Sequence, residues 1–585
     1  MKRSLLISVA ALAVACGSSD DTGNGLDGGP SGVGGSPAAG GSQATGGAIN
    51  GTGATGNPGT GGSTPGTGGN VGSTGGGVGT TGGDGNTGGT LGTGGAGGAP
   101  GGTGGTGGTV AVDTSPDVLE RNKHPNRDGN FLQPTLTLAA AGKMAKDAAF
   151  TAAFTGNMWA SPLYLEKGPG GKGVFFAVTT GNDVLALDET TGATVWKKNL
   201  GPSPTKSYTN GCGSIHPIGI IGTPVIDAAA GTIYVANATG GDTIADHQVH
   251  ALSITDGAER AGYPVTVKPA GFSPGPQNQR SALSLVNGVL YVAYGGHVGD
   301  CGPYHGWVVG INAADPTKTG GWATLGQGEG IWAAGGLASD GNGVFAITGN
   351  STVGASDHMK SDSEEVVRIT GLGVLDRANK NLYFPASWRT MDGLDADFGA
   401  SNPIYLNIPG STPANFVVAI AKDGHFYLLD PANLGGMGGH KVDFTVASGS
   451  MSIHTVPAAY TTSKGVHVAL TTDSGGACPM GGPSGKVVMS VLLKPGSPPV
   501  PVVEWCAALG GAVTAPIATT TDGTTNAVVW YMNGGKLVGL DGDTGKPVVT
   551  STDTCNGVRQ WTSPIAVKGR IVTGADGHLC SWSPH

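Results

Sequence analysis

Residues 173–201 read GVFFAVTTGNDVLALDETTGATVWKKNLG. Val174 to Val178 is a β-branched and aromatic run, and TTGND after it has turn chemistry, with Gly181 and Asn182 suited to positive φ. VLALD follows as a second strand closing on Asp188, and ETTGATVW makes another turn before Trp196. A unit of such short strands carries apolar side chains on both faces and cannot bury them alone. The rest of the chain must repeat it, and it does, at intervals of roughly 45–60 residues. Copies open at SPLYL (161–165), GTPVID (222–227), RSALSLV (280–286), GLASDG (336–341), SNPIYL (401–406), VPAAY (456–460), APIATT (515–520) and SPIAV (563–567). Eight copies without a polar cap at either end predict an all-β, eight-bladed β-propeller over residues 131–585. The last copy lacks an outer strand before His585, so a strand near AFTAAFTG (149–156) is expected to close the ring and remove the open edge.

The string ALDETTGATVW (186–196) resembles the repeat of the pyrroloquinoline-quinone (PQQ) type of propeller, A-x-D-x-x-T-G-x-x-x-W, with Ala186, Asp188, Thr191, Gly192 and Trp196 in register. The resemblance implies the quinoprotein alcohol dehydrogenase-like fold, a Trp wedged between neighbouring blades, and a turn fixed by Asp and Thr-Gly. It also carries a functional implication. A dehydrogenase of this kind needs PQQ, a calcium ion held by a carboxylate and an Asn, an Asp base, and an Arg beside the quinone. Methanol and ethanol dehydrogenases add an adjacent Cys-Cys pair over the cofactor and a Trp beneath it. Asp397 or Asp300 as base, Asn402, Arg280 and Trp332 are the right residue types, whereas no adjacent Cys pair and no CxxCH haem motif occur.

The chain of 585 residues contains 111 Gly, and that average mixes two polymers. MKRSLLISVAALAVAC is a secretory signal: Lys2 and Arg3 are the basic start, Leu5 to Leu12 the apolar stretch, and Ala13-Val14-Ala15-Cys16 resembles a bacterial lipobox. Residues 1–15 are thus read as a lipoprotein signal peptide and Cys16 as the lipidated residue. The apolar run is too short to span a membrane. Gly17 in place of an Asp favours the outer membrane or cell surface. Residues 16–112, rich in Gly and Thr with no Lys, Arg or aromatic residue, have nothing to bury and are expected to form a disordered tether. As a coil its ends would lie roughly 50–60 Å apart. A mobile lead-in, residues 113–130, precedes the propeller. Net charge is −9 with no basic stripe, which excludes a nucleic-acid partner, and a monomer is expected.

Apart from Cys16 there are six cysteines: Cys212, Cys301, Cys478, Cys506, Cys555 and Cys580. In an oxidising compartment they suggest three disulfides among fifteen connectivities, and sequential pairing (212–301, 478–506, 555–580) is expected.

Chemistry outside the repeats is densest between the third and fifth copies, in QNQRSAL (277–283), GGHVGDCGPYHGW (295–307), GEGIWAAGG (328–336) and DGLDADFGASNP (392–403). Loops at one end of a propeller converge on its channel, so Arg280, His297, Tyr304, His305, Trp332, Asn402 and Lys422 form the expected ligand-binding face, with Asp300, Asp397 and Arg280 as catalytic candidates. The competing reading makes these residues interblade ties. DGDTG (541–545) resembles part of a calcium loop but fits the repeat turn. No P-loop or HExxH pattern occurs, and no metal site is assigned. The leading expectation is an exported, lipid-anchored, non-enzymatic binding or scaffold propeller with no cofactor, meeting a protein or glycan partner at the envelope. A relative of this reading is a scaffold like the lipoprotein propeller of outer-membrane barrel assembly, although that protein's tether is short. The alternative is a PQQ- and calcium-dependent dehydrogenase of an alcohol or sugar.

Overall fold

The computed structural model describes residues 113–352, 358–449, 452–511 and 513–585. The signal peptide, Cys16 and the tether to residue 112 lie outside the described residues. The described strands form eight sheets in a ring. Blade 1 is a meander of Leu163–Leu165, Val174–Val178, Asp183–Asp188 and Thr194–Asn199. The innermost strands of blades 2 to 8 are Val225–Asp227, Ser284–Val286, Ala338–Ser339, Ile404–Asn407, Ala458–Thr462, Ile517–Thr520 and Ile565–Val567. Both faces of each sheet pack on neighbouring blades, so strands such as VFFAV are buried at every position rather than at alternate ones. Among the described residues, helix is confined to short segments such as Leu138–Ala141 and Trp388–Leu394.

The ring closes with N-terminal strands. Met144–Lys146 pairs antiparallel with His578–Pro584, and Ala152–Ala153 adds to the same strand. Closure therefore comes from the expected region, with most of the pairing a few residues earlier than AFTAAFTG.

The repeat turn works as its residue types demand. Asp188 Oδ1 accepts from Thr190 N, Thr191 N and Thr191 Oγ1 at 3.0, 2.8 and 2.9 Å, and Gly192 takes φ 76°. Asp541, Thr544 and Gly545 of DGDTG reproduce this turn, with Thr544 N and Oγ1 both donating to Asp541 Oδ1. Trp196 Nε1 donates to Ile254 O (2.9 Å), and its ring covers the blade 2 turn at Gly257. Trp505 does the same from blade 6 to blade 7, donating to Gly542 O (2.7 Å) over Gly545. In the TTGND turn, Asn182 takes positive φ (63°), whereas Gly181 does not.

The lead-in 113–130, expected to be mobile, is instead built into the channel. Val118 and Tyr164 of blade 1 exchange backbone hydrogen bonds, and Leu119 O accepts from Ile226 N of blade 2. Arg127 Nη2 donates to Leu283 O (2.9 Å) of blade 3. Pro125, Asn126, Asp128 and Gly129 carbonyls then accept from Ser339, Tyr405, Ala459 and Ala518, one inner strand each in blades 4 to 7. Asn130–Leu132 runs parallel to Ile517–Thr520, and Gln133 Nε2 reaches Ala566 O of blade 8 (3.2 Å). The strap thus touches all eight blades. The physical reason is that inner strands leave a row of unpaired backbone groups facing the channel, and the backbone of the strap satisfies them. Asn122, Lys123 and Arg127 hold positive φ (60°, 73°, 64°), a conformation maintained by these contacts.

Each inner strand runs away from one end of the ring and the next strand returns to it. Lead-ins to inner strands and loops after second strands therefore share a face. All three disulfides form as expected, Cys212–Cys301, Cys478–Cys506 and Cys555–Cys580, and they staple loops or strand ends on that face. The strap begins at the other end, where Asp117 Oδ1 accepts from Glu166 N (2.7 Å) in the turn after the first inner strand.

Candidate ligand-binding site

On the loop face, blades 3, 4 and 5 converge over the channel. Lead-ins supply Asn278, Arg280, Trp332, Asp395 and Asp397, and second-strand loops supply His297, Asp300, Tyr304, Asn350 and Lys422. These residues line a cavity of about 50 Å³. At ~10–15 Å³ per water, it accommodates a few waters or one small end group.

Lys422 is the electrostatic centre. Its Nζ lies 2.8 Å from Asp397 Oδ2 and 3.2 Å from Asp395 Oδ2. Burial works against its charge, but the two carboxylates outweigh it and hold the ammonium above its ordinary range. Asp397 Oδ1 also accepts from Asn350 N (3.0 Å). Burial, then Asp397, push Asp395 up to about 6. Tyr304 Oη donates to Asp300 Oδ1 at 2.7 Å. Burial holds the His297 imidazole neutral, with its pKa lowered to about 4.

Trp332 is an aromatic wall fitted by glycine. Its ring lies against Gly295, Gly330 and Gly349, each so close that a Cβ there would meet indole carbons. Arg280 Nε donates to Trp332 O (2.8 Å), and its guanidinium sits 5.0 Å over the Trp561 ring. Trp561 O in turn accepts from Arg121 of the strap, so the strap underlies the cavity. Asn278 Oδ1 is buried without a hydrogen-bond partner.

Of the residues singled out from sequence, Arg280, His297, Asp300, Tyr304, Trp332, Asp397 and Lys422 come together here. His305 and Asn402 do not. His305 Nδ1 bonds Thr324 O (3.1 Å), and Asn402 is fully buried against Gly335 with its amide on Pro403 O. GFSPG (271–275) has the letters of a nucleophile elbow, but it is a loop with no helix after it, and Ser273 is not so placed.

Sequence reasoning missed an acidic layer behind the cavity. SDSEE (361–365) has every residue at or below 1% exposure. Glu329 accepts from Gly326 N (2.9 Å), Asp362 N (3.0 Å) and Ser361 Oγ, while Asp362 pairs with Arg377. Glu364 accepts from Phe398 N, and burial followed by Asp397 raises its carboxyl strongly. Asp300, Glu329, Glu364 and Asp395 all hold positive φ (50–55°). Such strain clusters at functional sites, and a run of five polar residues directly before the apolar strand VVRI was its visible signal.

No protein-family model and no curated protein matches the chain. Among solved structures, it is similar to the quinohemoprotein alcohol dehydrogenase ADHIIG from Pseudomonas putida HK5, at 12% identity over 80% of each chain, with a TM-score of 0.59. The quinohemoprotein alcohol dehydrogenase from Comamonas testosteroni matches at 13% identity over 80% of each chain (TM-score 0.56). A europium-containing methanol dehydrogenase matches at 13% over 79% of this chain and 91% of its own (TM-score 0.55). The fold is that of the quinoprotein dehydrogenases.

The quinoprotein fold implies a quinone and a cation at the channel mouth. Ligand pockets typically offer roughly 300–1,000 Å³, several times the volume found here. Asp397, the candidate base, is engaged by Lys422 and Asn350, and Asn402 points elsewhere. Among the described residues, the one trio of His, Cys, Asp or Glu ligand atoms gathered closely enough for a metal is Cys555, His578 and Cys580. As arranged, the channel-mouth residues do not fit a quinone with its cation.

Proposed function

We propose that this chain is an exported, membrane-anchored propeller that binds a protein or glycan partner at its channel mouth without transforming it. The observation that carries this reading is the Lys422–Asp397 pair, which lines the cavity and engages the one well-buried acid among the catalytic candidates. A blind cavity underlain by the strap suits recognition of an end group, with Trp332 as a stacking wall and Asn278 Oδ1 as a waiting acceptor. Three disulfides support an oxidising compartment.

The second reading, a PQQ- and calcium-dependent dehydrogenase, rests on the fold, since the channel-mouth residues as arranged do not fit its cofactor. Calorimetric titration of the purified protein with PQQ in calcium, and again in chelator, separates the two. Stoichiometric, calcium-dependent heat would overturn the binding-only reading. Silence toward PQQ, together with saturable heat from an envelope glycan fragment that is lost in Trp332→Ala, is the expected result.

A further inference from the structure

His578 Nδ1 lies 2.9 Å from Asp576 O, and a carbonyl can only accept, so Nδ1 carries the proton. Nε2 therefore presents a lone pair, and it faces Cys555 Sγ at 3.5 Å. A disulfide sulfur has no hydrogen to offer that lone pair. The contact becomes a bond only when Cys555 is a thiol, or when a cation sits between the two atoms. Cys580 Sγ completes a trio whose ligand atoms all lie within 4.8 Å of one another.

We propose that the Cys555–Cys580 disulfide and His578 form a redox-gated site, which after reduction takes one soft divalent cation of the zinc class. A small phosphine supplies two electrons and becomes the phosphine oxide, taking its oxygen from water; the S–S bond breaks, and the two protons of that water convert the sulfurs to thiols. Metal binding then releases both protons and forms two metal–thiolate bonds and one metal–imidazole bond. The histidine-to-sulfur spacing suits that ion, while the two sulfurs, bonded to each other here, would part to about 3.8 Å around it. Zinc–sulfur bonds of about 2.3 Å and zinc–nitrogen bonds of about 2.0–2.1 Å at tetrahedral angles separate S and N by about 3.5 Å, the spacing found here. The Asp576 carbonyl is the outer partner that fixes the imidazole in the metal-binding tautomer. Asp576 is itself held by Arg559 and by Met158 N. Three protein ligands leave one position open.

The site lies where the ring closes. Ala153 pairs with His578, and Phe154 N donates to Gly577 O. Cys555 follows the outer strand of blade 7 and Cys580 lies in blade 8, so the metal would replace the covalent staple across that seam.

The test is cobalt(II) titration of the full chain reduced with a phosphine, read by near-ultraviolet thiolate-to-cobalt absorption, with zinc as competitor. Comparison with Cys555→Ser/Cys580→Ser removes the signal of the other four propeller cysteines. One equivalent of cobalt should add a charge-transfer band absent from that double variant and weakened at least tenfold in affinity by His578→Ala. Oxidised His578→Ala should melt like the oxidised parent, which a merely structural histidine would not allow. Cobalt uptake equal in all three proteins, or none in the parent, whether the reduced chain is folded or not, overturns the proposal.

Discussion

Lys422 Nζ and Asp397 Oδ2 stand 2.8 Å apart with both side chains almost wholly buried, at 2% and 6% exposure. The lysine is the cation nearest a group of acids that includes Asp395 and, behind it, Glu364. Removing one partner of such a pair leaves the other buried and unpaired, which costs about 3–5 kcal/mol. Lys422→Met should lower unfolding stability by that amount in urea titration. The double variant Lys422→Met/Asp397→Leu should recover most of it, because the paired charges themselves contribute little net stability. Equal losses in the single and double variants would show that the pair is not the source.

Burial raises the Glu329 carboxyl to about 7, against the hydrogen bonds from Ser361, Asp362 and Gly326 that lower it. The folded state therefore holds this proton more tightly than the unfolded chain. Its stability contribution is full below about pH 4.3 and is lost as pH rises through 7. A shift of this size corresponds to about 3–4 kcal/mol. The stability of the parent relative to Glu329→Gln should fall by about that much between pH 4.5 and 8, measured by denaturant unfolding at each pH. Parallel curves for the two proteins would contradict it.

Arg127 is fully buried and bonds Leu283 O, Leu337 O, Arg121 O, Ser284 Oγ and Glu120, tying blades 3 and 4 to the strap. Arg127→Ala strands several carbonyls and a carboxylate at once. A loss of at least about 3 kcal/mol is expected, with a lower melting temperature by calorimetry. Lysine should rescue little, because one ammonium cannot reproduce the planar fork that meets acceptors on two blades. A melting temperature for Arg127→Ala within a degree of the parent would mean that the strap is decoration.

The propeller was legible because its signals are local. Apolar runs recur in every blade, most open with a Pro, and two carry the D-x-x-T-G turn, whose residues perform their role within a few positions of themselves, as Asp188 and Thr191 do. The cavity was legible in part for a related reason, since Arg280, Trp332 and Asp397 are unusual residues in loops that topology gathers. The strap and the acidic layer were not. RNKHPNRDG (121–129) reads as a polar linker, because its burial depends on inner strands from eight blades up to several hundred residues away. SDSEE reads as a surface run for the same reason: its satisfaction comes from Arg377, Phe398 N and Asp392, which no spacing rule connects to it.

Gly349 gives direct control of the cavity wall. It sits one residue before Asn350, its N–H bonds Gly330 O (3.0 Å), and its backbone lies against the Trp332 ring. A Cβ there would stand 2.7 Å from Cζ2 and 3.0 Å from Cζ3 of the indole, closer than carbon atoms tolerate. The backbone is fixed by its neighbours, so the indole must yield. Space for it exists on the cavity side, where about 50 Å³ is open. Gly349→Ala should therefore push Trp332 into the cavity and fill it, at a cost typical of overpacking, about 1–3 kcal/mol. One indole resonance of the ten tryptophans should shift in a nitrogen-edited spectrum, and the shifted signal should be the one missing from Trp332→Phe. Ligand affinity at the channel mouth should fall at least tenfold in Gly349→Ala while the remaining resonances stay in place. Retained affinity with a displaced indole would show that Trp332 is interblade packing and that recognition rests on the carboxylates and Asn278 instead.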